Sequence, residues 1–188
     1  MDQTEQRQPA CRPDHPRIRR RALLMATAGL GVALAAPRLA RATLAPPAGA
    51  VLLTVSGAIG RRNAGDAAVF DDAMLGDLPQ VGFSTMTLWT PRVHFEGPPL
   101  SAVLAAAEAR GRRIEALAAN DFRAVLDPAL IGPRAPIVAR RIDGAPFPIR
   151  ALGPLWIMFP FDDEPAFRTE ATYMQCVWQL VALDVRAA

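Results

Sequence analysis

The sequence holds no lysine, only two cysteines and two histidines, and one tyrosine in 188 residues. The missing lysine reflects the base composition of the genome and carries no functional information. The shortage of histidine excludes more. His15 lies in an N-terminal segment that reads as removable, and His94 alone cannot build a histidine-based metal site. No catalytic triad can be assembled either. Cys11 leaves with the same segment, so Cys176 stands alone and cannot form an intramolecular disulfide. Because it sits in the apolar, β-forming run CVWQLVALDV, its expected role is that of a small buried hydrophobe, not a reactive thiol or metal ligand. Long hydrophobic runs are also missing. The stretch from Ala22 to Ala36 has 15 residues, short of the roughly 20 that a membrane-spanning helix needs.

That stretch has flanks that give it a different meaning. Arg19, Arg20 and Arg21 precede it, Pro37 ends it, and Ala40-Arg41-Ala42 follows as a small-x-small cleavage site. This is the pattern of a secretory signal, and Arg20-Arg21 followed by Ala22, Leu23 and Leu24 is its twin-arginine form, which exports proteins that have already folded. Residues 1–42 are therefore expected to be removed near Ala42, 43–50 to form a short tether, and 51–188 to form the domain of a periplasmic protein. The 146 residues from Thr43 suit one domain with a real core. The removed segment carries eight of the 21 arginines and three of the 18 acids, so the overall charge of +3 becomes −2. The remaining basic residues occur singly or in pairs, without the stripe that nucleic-acid binding requires.

The pattern beyond the tether alternates short strands with few helices. Val51–Gly57, Gly82–Trp89, Arg113–Ala118, Phe122–Leu126, Ile137–Arg141, Leu155–Pro160 and Cys176–Val185 read as strands, with another beginning at Val93 and a turn at Asp143-Gly144. Asp71 or Asp72 starts a short helix within Phe70–Leu78. Pro98 and Pro99 precede LSAVLAAAEARG, the clearest helix, with Gly111 as its stop and Glu96 placed to cap it. The class is α+β, with a mixed, curled sheet, one main helix and a few short ones.

Five segments recur in a telling order: VSG near the start, FEGPPLSAVLAAA, AANDFRAVL, RRIDGAPFPIRALGPLWIMFP and VWQLVALDV. Together they resemble the molybdopterin-binding domain of the sulfite-oxidase type over nearly the whole of 51–188, which implies that fold. The departures are as informative. Where the family's enzymes carry the cysteine that ligates molybdenum, this chain reads Ser84, Thr85, Met86, Thr87, Leu88, Trp89. Hydroxyls and a thioether do not replace a soft thiolate. The arginine expected after Gly153-Pro154 is replaced by Leu155 and Trp156, which leaves Arg150 as the nearby cation.

The cysteine-less form with NDF and GPLWI resembles a narrower group, exported pterin-binding regulators (PruR-like). That resemblance implies a non-catalytic sensor of a reduced, tetrahydropterin-like pterin. Its partner would be the periplasmic domain of a membrane-bound diguanylate cyclase/phosphodiesterase. The alternative is a subunit of a molybdopterin-dependent oxidoreductase, with a non-protein ligand in place of the thiolate. A pterin is a flat bicycle with adjacent donors on one edge, so its site needs an aromatic face and an edge acceptor. Trp89 and Trp156 supply the first, Asp121 with Asn120 the second, and Thr85, Thr87 and Arg150 complete the expected binding set. Trp178 reads as a core residue of the last strand. Asp162, Asp163 and Glu164 read as a solvated acidic run at the mouth of the site, opening Phe161–Tyr173, the segment expected to respond to ligand.

Overall fold

The computed structural model describes residues 44–187. The expected signal and its expected cleavage site near Ala42 lie outside them. Strand formation follows the apolar alternation. β5 (Arg113–Ala118) buries Ile114, Ala116 and Ala118 and turns Arg113, Glu115 and Leu117 outward, the period of two that a sheet with one covered face imposes. It lies in a mixed five-stranded sheet of order β2-β1-β10-β5-β6, built from β1 (Leu53–Gly57), β2 (Ala68–Phe70), β6 (Arg123–Leu126) and β10 (Leu180–Arg186). Only β1 and β10 run parallel, with Thr54 opposite Ala182 and Gly57 opposite Val185.

A second sheet contains β3 (Val81–Thr85), β4 (Val93–Gly97) and β8 (Arg141–Ile142), and a third pairs β7 (Ile137–Ala139) with β9 (Trp156–Met158). The α+β class with a mixed sheet and short helices therefore holds, but in place of one curled sheet the strands divide into three. Prolines mark the divisions, since each removes a ladder donor: Pro98 and Pro99 follow β4, Pro136 precedes β7, and Pro160 lies just past β9. Leu53, Phe70, Phe95, Leu100, Val103, Ile137, Ile157, Leu180 and Leu183 are buried in one continuous core.

The helices are short and specifically fastened. α1 (Asp72–Gly76) starts on Asp71, whose carboxylate accepts from Met74 N (2.8 Å) and from Ala48 N and Gly49 N (2.7 Å each), so one side chain caps the helix and ties down the incoming chain. These bonds, with that from Met74 first, hold its carboxyl below the usual range. α2 (Leu100–Ala106) begins on Pro99 without a side-chain cap; Glu96 lies instead in β4, opposite Arg141. The helix stops well before Gly111, because Glu108 turns left-handed (φ 50°) and Arg110 N donates to Ala58 O (2.8 Å), carrying the chain to the end of β1. Gly111 serves a different end: a Cβ there would collide with the Arg186 carbonyl. α3 (Glu170–Tyr173), not foreseen, is capped by the Thr169 hydroxyl.

Candidate functional site

The strand expected to run to Trp89 ends at Thr85. The Thr87 hydroxyl accepts from Trp89 N (3.1 Å) and Thr90 N (3.0 Å) and pairs with the Thr90 hydroxyl (3.0 Å). This local turn competes with the ladder and folds Met86–Arg92 into a loop. The loop presses Trp89 onto three other rings: Trp178 (5.2 Å between centroids), Trp156 (5.9 Å) and Tyr173 (6.2 Å), at interplanar angles of 59° to 71°. The contacts with Trp178 and Tyr173 are edge-to-face, an arrangement worth roughly 0.5–1.5 kcal/mol beyond simple burial.

Asp162 fastens this loop. Met86 N donates to its carboxylate (3.1 Å), Arg92 and Arg168 both approach it (3.5 and 3.2 Å), and its own N–H donates to the buried Thr85 hydroxyl (3.1 Å). With a side chain 17% exposed, Asp162 is a structural latch and not part of a solvated run. The segment it opens is internally tied as well: Arg168 Nε donates to Phe161 O (2.7 Å), Phe161 stacks on Tyr173 (4.3 Å, 19°), and Phe159 meets Phe167. Asp163 and Glu164 turn elsewhere, into a cleft of about 100 Å³ beside β3; a wider neighbour of about 340 Å³ shares Arg134 and Glu164, and neither includes the tryptophans.

The last strand begins later than expected, at Leu180, and the residues before it form a second corner of the site. Trp178 is half-buried and bridges to Trp156, while Gln179 adopts φ 50°. Gln179 N donates to Leu152 O (3.0 Å), its carbonyl accepts from Ala119 N (2.9 Å), and its side-chain Nε2 donates to Ile149 O (2.9 Å). These bonds bring the Asn120-Asp121 turn and the short 3-10 turn Ile149–Ala151, with Arg150 at its centre, beside Trp178. Asn120 Oδ1 accepts from Phe122 N (3.2 Å), which shapes the turn and allows Asp121 its left-handed φ of 66°. The Asp121 carboxylate and the Arg150 guanidinium are exposed and make no hydrogen bond or ion pair among the described residues.

The expected residues thus occupy two layers. Trp89, Asn120, Asp121 and Arg150 reach the surface near Trp178, while Thr85 and Trp156 are fully enclosed and back the site, and Thr87 builds the loop. Trp156 Nε1 is buried without a hydrogen-bond partner among the described residues. Trp178 was read as a core residue and Asp162 as part of a solvated run, and Gln179 was missed. The visible signal for Gln179 was an amide inside an otherwise apolar run, where a strand facing the core has no use for one.

The donor set does not suit a molybdenum–thiolate centre. The segment 84–89 offers only hydroxyls and the Met86 thioether, and the cysteine among the described residues, Cys176, is buried, donates to Thr172 O (3.7 Å) and has its thiol pushed up to about 12 by that burial. Among the described residues no three histidine, cysteine or acidic side chains are grouped as for a metal ion, and no helix is long and apolar enough to cross a membrane. No family model matches the sequence, and no curated protein matches it. Among solved structures, the sulfane dehydrogenase SoxCD from Paracoccus pantotrophus superposes with a TM-score of 0.55 at 15% identity, covering 72% of this chain. This chain matches 38% of the length of that one. At such identity the likeness shows the fold alone: these residues are built as part of a sulfane dehydrogenase is built.

Proposed function

We propose that the chain is an exported, non-catalytic pterin-binding protein that senses a reduced pterin and acts on the periplasmic domain of a membrane-bound diguanylate cyclase/phosphodiesterase. The observation that carries this reading is the cysteine-free loop at Met86–Arg92, organised around Trp89 instead of a thiolate. The fold shared with a sulfane dehydrogenase supports the resemblance to the sulfite-oxidase type, and the missing sulfur separates this chain from that chemistry. A flat heterocycle stacked at Trp89 and Trp178 gains roughly 1–3 kcal/mol by analogy with nucleobases. A charged hydrogen bond to Asp121 adds about 1.5–3 kcal/mol. A few such contacts, less the cost of association, suit a micromolar ligand.

The docking half of the proposal draws support from where the apolar surface lies. Of the exposed large hydrophobics, Met86 and Leu88 (74% exposed) lie in the loop, Met174 follows Tyr173, Ile149 is bonded to Gln179, and Phe122 closes the Asn120-Asp121 turn. Apolar surface gathered around one site marks contact with another macromolecule.

The test is native mass spectrometry of the protein taken from the periplasm of its own host under anaerobic conditions. The expected result is an added mass of a simple reduced pterin without molybdenum. A second reading, a molybdopterin oxidoreductase subunit, is favoured by the dehydrogenase fold match alone. An added mass containing molybdenum and a dithiolene would establish it and overturn the first.

A further inference from the structure

The corner at Trp178-Gln179 holds an unusual concentration of strained backbone. Among the described residues five that are not glycine have positive φ, and three of them lie at this corner: Gln179, Leu152, whose carbonyl accepts from Gln179 N, and Asp121, two residues past Ala119, whose N–H donates to the Gln179 carbonyl. Any side chain makes the left-handed region costly, and such outliers cluster where a site needs its groups held in one place. The consequence for Gln179 is a fixed amide. Only the NH₂ end can face the Ile149 carbonyl, so the 2.9 Å bond from Nε2 settles the orientation and turns Oε1 away from Ile149, with no donor on it among the described residues. The neighbouring ring, Trp178, meets Trp89 edge-on at 5.2 Å. Asp121 and Arg150, whose side chains also lack partners, lie on the two segments that the Gln179 backbone ties together.

We propose that Gln179 is a specificity-determining residue, its Oε1 accepting from the exocyclic 2-amino group of a 2-amino-4-oxo heterocycle seated against Trp89 and Trp178. This rests on the reading of the site as a pterin seat. Asp121 accepts from N3–H and the first 2-amino proton, Gln179 takes the second, and Arg150 donates to the 4-oxo oxygen. A 2,4-dioxo ring presents a carbonyl where the amino group was, which sets two acceptors against each other.

The experiment titrates the full chain anaerobically with 6,7-dimethyltetrahydropterin and with the corresponding tetrahydrolumazine, which differs in having oxygen at position 2, following tryptophan fluorescence. The wild type is expected to prefer the pterin at least tenfold. Gln179→Met removes the acceptor at similar length, and Gln179→Gly removes the side chain at a position whose φ suits glycine, so the backbone corner survives. In both the pterin-to-lumazine ratio should fall several-fold, to the discrimination that Asp121 supplies alone, with the melting temperature of Gln179→Gly equal to or above wild type. A merely structural role would weaken both ligands alike and leave the ratio intact, and that result overturns the proposal while keeping the pterin seat. Equal binding of both rings by the wild type also overturns it. Failure of the wild type to bind either ring would remove the pterin reading itself.

Discussion

Asp72 accepts from two guanidinium groups at once, Arg140 (2.9 and 2.6 Å) and Arg141 (3.1 and 2.7 Å), and so clasps α1 to the β7–β8 link. The bonds from Arg141 lead in holding its carboxyl down to about 2, against 3.8 for the free group. Since the folded value is the depressed one, the stabilisation is complete above pH 3.8 and is lost as pH falls through about 2. Asp72 is close to half exposed, so solvent screening reduces the contribution to about 1 kcal/mol. Asp72→Asn should lower stability by about that amount at neutral pH, with the difference vanishing toward pH 2; denaturant titrations across that range measure it. Cys176 moves the other way. With its thiol pushed up to about 12 by burial, it should resist a thiol reagent at pH 8 in the native protein and react at once in denaturant, and ready labelling of the native protein would contradict its enclosure. At this scale the sequence was legible where a residue's environment is set by its neighbours in the chain. Cys176 in an apolar run and Asp71 ahead of a helix are examples. It was not legible for Trp156 and Asp162, because their surroundings come from segments far along the chain.

The elements show the same division. β5 was read to the residue because alternation alone defines it. β3 was read too long, since the β-forming composition of Ser84–Trp89 hid a hydroxyl turn at Thr87. β10 was read too early, because the aromatic and β-branched residues from Cys176 to Trp178 mimic a strand that begins only after the left-handed Gln179. Both errors fall at the candidate site, where local preference yields to longer-range contacts. The Met86–Arg92 loop depends on Asp162, which supplies the acceptor for Met86 N and the counter-charge for Arg92 and Arg168. Asp162→Ala should destabilise by about 1–2 kcal/mol. It should also speed hydrogen exchange at Met86 and weaken pteridine binding. Asp162→Asn, which keeps an acceptor, should cost less than half as much. Equal effects in the two variants would show that charge, not the Met86 bond, holds the loop.

Among the described residues the exposed large hydrophobics are unevenly placed, and five of the seven lie on the segments that form the tryptophan corner. On the proposed reading, which puts these side chains at the rim of the seat, replacing Leu88, Ile149 and Met174 together by serine should abolish capture of the proposed periplasmic partner domain and change pteridine affinity by no more than about twofold. Loss of ligand affinity instead would place them in the seat. The α+β class was legible, because strand alternation and the proline-led helix are local signals; the division into three sheets was not, as pairing partners are chosen only once the chain is compact. The parallel ladder joining β1 to β10 has a temporal meaning. The strand that seals the centre of the large sheet is the last of the ten described in chain order, with Thr54 waiting for Ala182. While the final strand is still inside the ribosome, β1 has a neighbour on one side only and the sheet is split between β1 and β5. The domain therefore cannot complete its fold until β10 has left the ribosome, and it becomes resistant to protease only after that point.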